Sequence, residues 1–214
     1  MLKEDEEQEL LMSILPRFDL TAEQMGAILS EERSDVSITA SLAEILENPY
    51  IIFEQYVGMD SDDTIPFYKI DNGIISSPEY GLENFFDVGA TERLRAFCVD
   101  ELNRIAAHSF GKAETILQSV NHRLDRMPEW KQYTFKLKNF KIDRDIFDKA
   151  LELKEDEEKN LYLYLKWVYE DERQVESIFT MLAERPDISL KMAITKDKFK
   201  KKLRNPESKL NETA

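Results

Sequence analysis

Apolar positions between residues 91 and 165 change period along the chain, and the changes predict an order of elements. Leu94, Phe97, Cys98, Leu102 and Ile105 recur at three- and four-residue steps, with Glu101 the one polar position among them, so a helix is expected there. His108-Ser109-Phe110-Gly111 breaks it, and residues 112–124 are expected as a second helix. Residues 143–153 are expected as a third, with Ile146, Phe147, Ala150 and Leu151 on one face. Glu155-Asp156-Glu157-Glu158 then turns the chain into Leu161-Tyr162-Leu163-Tyr164-Leu165, which alternates as a strand does. Three helices, an acidic turn and a strand in this order predict a small winged-helix-like domain.

Upstream, residues 1–60 read as wholly helical. Leu10, Leu11, Ile14 and Leu15 form a short apolar stripe ending at Pro16. Thr21 with Gln24 three residues on has the pattern of a capping box, and Ile28 and Leu29 continue that helix's apolar face. Thr39 or Ser41 caps the next helix, Leu42-Ala43-Glu44-Ile45-Leu46, which stops before Pro49 because proline disfavours helical backbone in the residue ahead of it. Pro49 is suited to opening a further short helix from Tyr50. Residues 61–90 differ. Asp71-Asn72-Gly73 between Phe67-Tyr68-Lys69-Ile70 and Ile74-Ile75 predicts a β-hairpin, followed by loop. Beyond Tyr169, Val175, Ile178, Phe179 and Leu182 mark an amphipathic helix closed by Pro186, and residues 188–195 are a candidate strand. The expected fold is mainly α with minor β. It comprises a helical unit over 1–60, a hairpin and loop connector over 61–90, a winged-helix-like domain with a trailing helix over 91–195, and a flexible basic-then-polar tail over 196–214.

Charge changes this picture locally. The chain carries a net −14, and residues 1–60 hold 14 acidic against 3 basic side chains. Two islands run the other way: Lys131, Lys136, Lys138, Lys141 and Arg144 against Asp143, and Lys196, Lys198, Lys200, Lys201, Lys202 and Arg204 against Asp197. An acidic remainder repels a phosphate backbone, so any DNA contact has to be made at these islands. A single cysteine, an acidic N-terminal stretch unlike a secretory leader, and no apolar run near the ~18 residues of a membrane helix lead us to expect a cytoplasmic chain with no membrane partner.

Catalytic chemistry finds little support. Gly111-Lys112 is the nearest approach to a phosphate-cradling loop, but Ala106 and Ala113 occupy the positions where that motif needs glycine and serine or threonine. His108 and His122 stand apart, and one cysteine cannot build a zinc cluster. Asp60-Ser61-Asp62-Asp63 lacks the glycine and distal glutamate of a calcium loop. No catalytic residue, cofactor or metal is therefore assigned. In the first island, Lys131, Tyr133, Phe135, Lys136, Lys138, Phe140 and Lys141 interleave cations with aromatics, which suits a groove that tracks a nucleic-acid backbone. The competing reading is a β-segment that sends Phe135, Leu137 and Phe140 into the core and leaves the lysines in solvent. Lys131, Tyr133, Lys136, Lys138 and Lys141, with Lys198, Lys200, Lys201 and Lys202, are the candidate DNA-binding residues. Asp143, Asp145, Asp148 and Glu152 outnumber Arg144 and Lys149 in the expected third helix, which argues against major-groove reading.

The pieces together resemble a known family. Ser41-Leu42-Ala43-Glu44-Ile45-Leu46-Glu47-Asn48-Pro49-Tyr50 is similar to the "L-x-E-N-P-Y" segment of RecD-type helicases, the exodeoxyribonuclease V alpha-chain family. Arg93-Leu94-Arg95-Ala96 through His108-Ser109-Phe110 and residues 114–120 resemble its "R-x-R-A … G-H-T … E-E-L-L" stretch. Ile146 to Leu151, Leu161-Tyr162-Leu163 and Tyr169-Glu170-Asp171-Glu172 resemble its "A-L … V-Y-L … Y-E-A-E" passage. The likeness spans residues 40–185 in fragments that keep their order. It implies a helix-hairpin-helix-like unit followed by a winged-helix-like one, in the accessory region of an ATP-dependent DNA helicase or exonuclease subunit acting in DNA repair. Tyr56-Val57-Gly58-Met59-Asp60 supplies only one glycine of the family's Gly-hydrophobic-Gly turn, and no Walker motif is present. The resemblance thus puts ATP and Mg with downstream motor domains of the same polypeptide and makes this chain non-catalytic. The alternative expectation is a protein–protein adaptor that docks a basic partner on its acidic helices.

Overall fold

Local signals build the N-terminal helices, and burial arranges them. The computed structural model describes residues 2–58, 60, 63–105, 110–185 and 197. Helix α1 (Leu2–Glu9) runs into one π-turn (Leu10–Ile14) and a 3-10 turn (Leu15–Arg17) containing Pro16. Leu10, Ile14 and Leu15 are buried, whereas Leu11 faces solvent. Helix α2 (Ala22–Leu29) starts at the capping box: the Gln24 N–H donates to Thr21 Oγ1 at 3.1 Å, and the Thr21 N–H donates to Gln24 Oε1 at 3.2 Å. Ser41, not Thr39, caps α3 (Leu42–Glu47), in a second box closed by Glu44. Helix α4 (Tyr50–Gln55) follows Pro49 directly.

The expected hairpin at Asp71-Asn72-Gly73 is instead the last part of a helix, α5 (Phe67–Ile74). Gly73 serves close approach rather than a turn. A Cβ there would lie 2.5 Å from the Arg17 carbonyl oxygen and against the Phe18 ring. Asp71 faces the interior, where Arg93 awaits it.

Helix α6 (Thr91–Arg104) lies deep in the core, with every residue from Arg93 through Val99 buried. Such burial on all sides has to satisfy two arginines. The Arg95 guanidinium donates from Nε and Nη2 to the Glu54 carboxylate at 2.9 and 2.6 Å, and from Nη1 to the Ile146 carbonyl at 2.9 Å. Arg93 donates from Nε to Asp71 Oδ1 at 2.8 Å and from Nη1 to the carbonyls of Val88 and Lys131. These bonds tie α4 and α5 to α6. One apolar core runs from Leu10 to Leu165. Residues 1–173 accordingly form a single compact unit, so the boundaries expected near residues 60 and 90 are not breaks in packing; residues 174–214 form a second unit.

After α6 come β1 (Phe110–Lys112), α7 (Ala113–Leu124), a 3-10 turn (Glu129–Lys131), two single-turn helices α8 (Asn139–Ile142) and α9 (Arg144–Phe147), and strands β2 (Leu151–Glu155) and β3 (Leu161–Leu165). The long third helix expected over 143–153 is not formed. It stops at Phe147, and Leu151 and Leu153 enter the core as alternate residues of a strand. Their ladder with β3 (Leu151 opposite Leu165, Leu153 opposite Leu163) outcompetes a helix built on Ala150 and Leu151. The sheet is antiparallel in the order β1-β3-β2, so the first strand pairs with the last. Helix α10 (Lys166–Ala183) follows, with residues from Gln174 onward in the second unit. There Val175, Ile178, Phe179 and Leu182 keep the expected helical spacing, all exposed. The candidate strand at 188–195 lies outside the described residues. The protein is mainly helical with one small three-stranded antiparallel sheet. Among the described residues no helix is long and apolar enough to cross a membrane.

Candidate nucleic-acid interface

The first basic island divides in two. Lys131 is only 6% exposed, the reverse of what its place among surface lysines suggested. Its Nζ donates to Asp71 Oδ2 at 2.8 Å, to the Asp71 carbonyl at 3.0 Å and to Asn72 Oδ1 at 2.9 Å. All three ammonium donors are used inside the protein, so Lys131 is removed from the candidate interface. Asp71 also accepts from Arg93 and from the Tyr50 hydroxyl at 2.8 Å. Burial raises the cost of charge on Asp71, but Arg93 and Lys131 together outweigh it and hold the carboxyl below its usual range. Burial pushes the Lys131 ammonium down, and Asp71 offsets only part of that. The Tyr50 phenol is pushed well up, first by burial and then by the Asp71 charge. Arg93, Asp71, Lys131 and Tyr50 are a structural clasp.

Tyr133 is 39% exposed, with part of its ring taken up by packing. A Cβ on Gly89 would lie 2.5 Å from its Cζ, so the ring covers the glycine backbone, and it meets Phe135 edge-on at 4.8 Å. Phe135 and Phe140 are buried as expected, while Leu137 is exposed and the segment is not a strand. The Asn121 side chain holds it by accepting from the Phe135 N–H and donating to the Phe135 carbonyl.

Lys136, Lys138 and Lys141 are exposed. Lys138 and Lys141 line a cleft of about 400 Å³ between this segment, the start of α7 and the β2–β3 hairpin. Two lysines outside the basic islands complete it: Lys112 at the end of β1 and Lys159 in the hairpin turn. Glu155 carries the nearest counter-charge, 3.6 Å from Lys141 Nζ and 3.9 Å from Lys159 Nζ. Glu114 is the other acid of the lining. Four lysines against two glutamates make a locally cationic cleft on an acidic chain. The α7 N-terminus opens into it with no side chain capping its first turn, and the N–H groups there add to the positive potential. The hairpin turn that carries Lys159 is fixed by Asp156, whose carboxylate accepts from the Asn160 N–H and side-chain amide, both at 2.8 Å. Those bonds keep the Asp156 carboxyl low. Lys159 itself takes φ +67°, a left-handed backbone that the turn requires. Lys198, Lys200, Lys201 and Lys202 lie outside the described residues, as does His108.

Cys98 is fully buried and its thiol is pushed up by burial and then by Glu101, which suits a core side chain and not a nucleophile. Among the described residues no three His, Cys, Asp or Glu side chains are grouped to hold a metal ion. Compared with protein-family models, with curated proteins and with solved structures, the chain finds no match.

Proposed function

We propose that this chain is a non-catalytic accessory module of a RecD-like ATP-dependent DNA helicase or exonuclease subunit, and that it positions DNA for motor domains elsewhere in the polypeptide. The observation that carries the reading is the cleft in which Lys112, Lys138, Lys141 and Lys159 converge at the start of α7. Four ammonium groups and an uncapped helix N-terminus suit successive phosphates of a backbone.

The order of elements supports a winged-helix reading of residues 91–165. Helix, strand, helix, two short helices and a hairpin follow one another, and the first strand lies beside the last. On that reading α8 and α9 take the place of the third helix and the β2–β3 hairpin is the wing, so the cleft lies between wing and third helix. The resemblance of the Asn48-Pro49-Tyr50 block and of the ordered fragments up to Glu172 supports the same family context. Buried Arg93 and Arg95 give the "R-x-R-A" fragment a structural purpose within it.

A second reading, an adaptor for a basic partner, draws on α1, where Asp5, Glu7 and Glu9 are exposed. One experiment separates the two. Fluorescence anisotropy of labelled oligonucleotides at low salt should detect binding that Lys138→Ala/Lys141→Ala weakens. Absence of binding by the parent protein at low salt would favour the adaptor.

A further inference from the structure

The outer face of the sheet carries side chains that neither the core nor the lysine cleft explains. Leu151, Leu153, Leu163 and Leu165 point inward, so their neighbours along the strands point out. Two cross-strand rows result. Phe110, Tyr164 and Glu152 form one, and Lys112, Tyr162 and Lys154 form the other. Tyr162 thus has a lysine opposite it on each neighbouring strand.

The rings pack against one another across the strands. Phe110 lies nearly parallel to Tyr164, with centroids 4.8 Å apart and planes 27° from parallel. It meets Tyr162 edge-on at 5.8 Å, and Tyr164 meets Tyr169 edge-on at 5.5 Å. Lys154 Nζ lies 4.9 Å from the Tyr169 ring centre and 2.6 Å from the Glu152 carboxylate, and Asp156 takes the Tyr162 hydroxyl as a hydrogen-bond partner at the edge of the face. Phe110 is 43% exposed although it stands in a strand and is wholly apolar. Lys112 is the hinge of the arrangement, because it belongs both to the Tyr162 row and to the lining of the cleft.

We propose that this sheet face is a stacking platform for single-stranded DNA, with bases laid on Phe110 and Tyr162 while the adjoining lysine cleft holds the phosphates. The proposal rests on the reading of the chain as a DNA-positioning module and gives that module its strand preference. A flat ring beside a cation offers every base the same attraction, so binding is indifferent to sequence. In a duplex the base faces are already stacked on one another and cannot reach such a platform. Duplex DNA is left with the cleft alone.

The test uses the whole chain, a labelled oligothymidine of about 16 nucleotides and a blunt duplex of equal length. Phe110→Leu/Tyr162→Leu removes the π-faces and keeps apolar bulk, and Phe110→Leu alone serves if the double variant does not fold. The parent should bind the single strand more tightly than the duplex. The aromatic variant should lose about tenfold on the single strand and nothing on the duplex. Lys138→Ala/Lys141→Ala should weaken both. An oligonucleotide carrying 2-aminopurine should be quenched by the parent and less so by the aromatic variant. If that variant binds and quenches as the parent does while the lysine variant fails, the platform is refuted and the cleft stands. If the parent binds neither DNA at low salt, the underlying reading falls with it.

Discussion

Lys131 Nζ lies 2.8 Å from Asp71 Oδ2, joining two residues 60 positions apart beneath the surface. The contact separates one lysine of a run from its neighbours. Lys131→Ala leaves Asp71 paired with Arg93 but takes the ammonium donor from its carboxylate and carbonyl and from Asn72, so it should cost about 1–3 kcal/mol. Lys138→Ala, on the surface, should stay within about 0.5 kcal/mol of the parent. Urea denaturation of the two variants checks the contrast, and equal stabilities would remove Lys131 from its structural role.

Stability should fall on the acid side through Asp71. Arg93 and Lys131 hold its carboxyl below the usual value, so the unfolded chain takes up that proton first. The contribution of the clasp is therefore complete above about pH 4 and is lost as pH drops through the lowered native value. Asp71→Asn should lower stability at neutral pH and flatten the acid limb of the profile. Urea midpoints from about pH 6 to about pH 3 test this. A parallel loss in parent and variant would assign the acid limb to other carboxylates.

Gly73→Ala asks whether the glycine of α5 serves packing or a turn. Alanine favours helix, and by propensity alone the change should stabilise by about 1 kcal/mol. The Arg17 carbonyl and the Phe18 ring occupy the space, so a net loss of about 1–3 kcal/mol is expected instead. A raised thermal midpoint would show that the 3-10 turn and α5 are not in the contact described here.

Helices α2, α3, α6 and α7 were legible because each announces itself locally, by a capping box, a proline beyond its end or a long 3.6-residue period. Where tertiary contacts decide, the local signals misled. Asp71-Asn72-Gly73 has turn chemistry, but the aspartate is an ion-pair partner and the glycine a packing site. Leu151 fits the helical face of Ile146 and Phe147 until Leu163 and Leu165 are placed opposite β2. Half of the cleft was equally hidden. Lys138 and Lys141 stood out in a basic run, whereas Lys112 and Lys159 reach them only through the strand pairing and the hairpin turn. The alternation of Tyr162 and Tyr164 in β3 signalled a second face, but only the register shows which lysines flank it.

Charge removal gives an independent check on the hairpin's part in the cleft. Glu155 shares itself between Lys141 and Lys159 and lowers the field that a phosphate would meet. Glu155→Gln should tighten DNA binding several-fold at low salt without altering the fold, since its partners are exposed. Anisotropy titrations at one fixed salt concentration suffice, and weaker binding would mean that Glu155 positions the lysines more than it opposes the ligand.

The most direct test of the cleft is the salt dependence of duplex binding by the parent and by a variant with Lys112, Lys138, Lys141 and Lys159 all changed to alanine. Each phosphate contact contributes about 0.9 to the slope of log K against log salt. The parent slope should lie near −3 to −4, and the variant should lose most of both the slope and the affinity. An unchanged slope in the variant would place the DNA contact elsewhere and contradict the account.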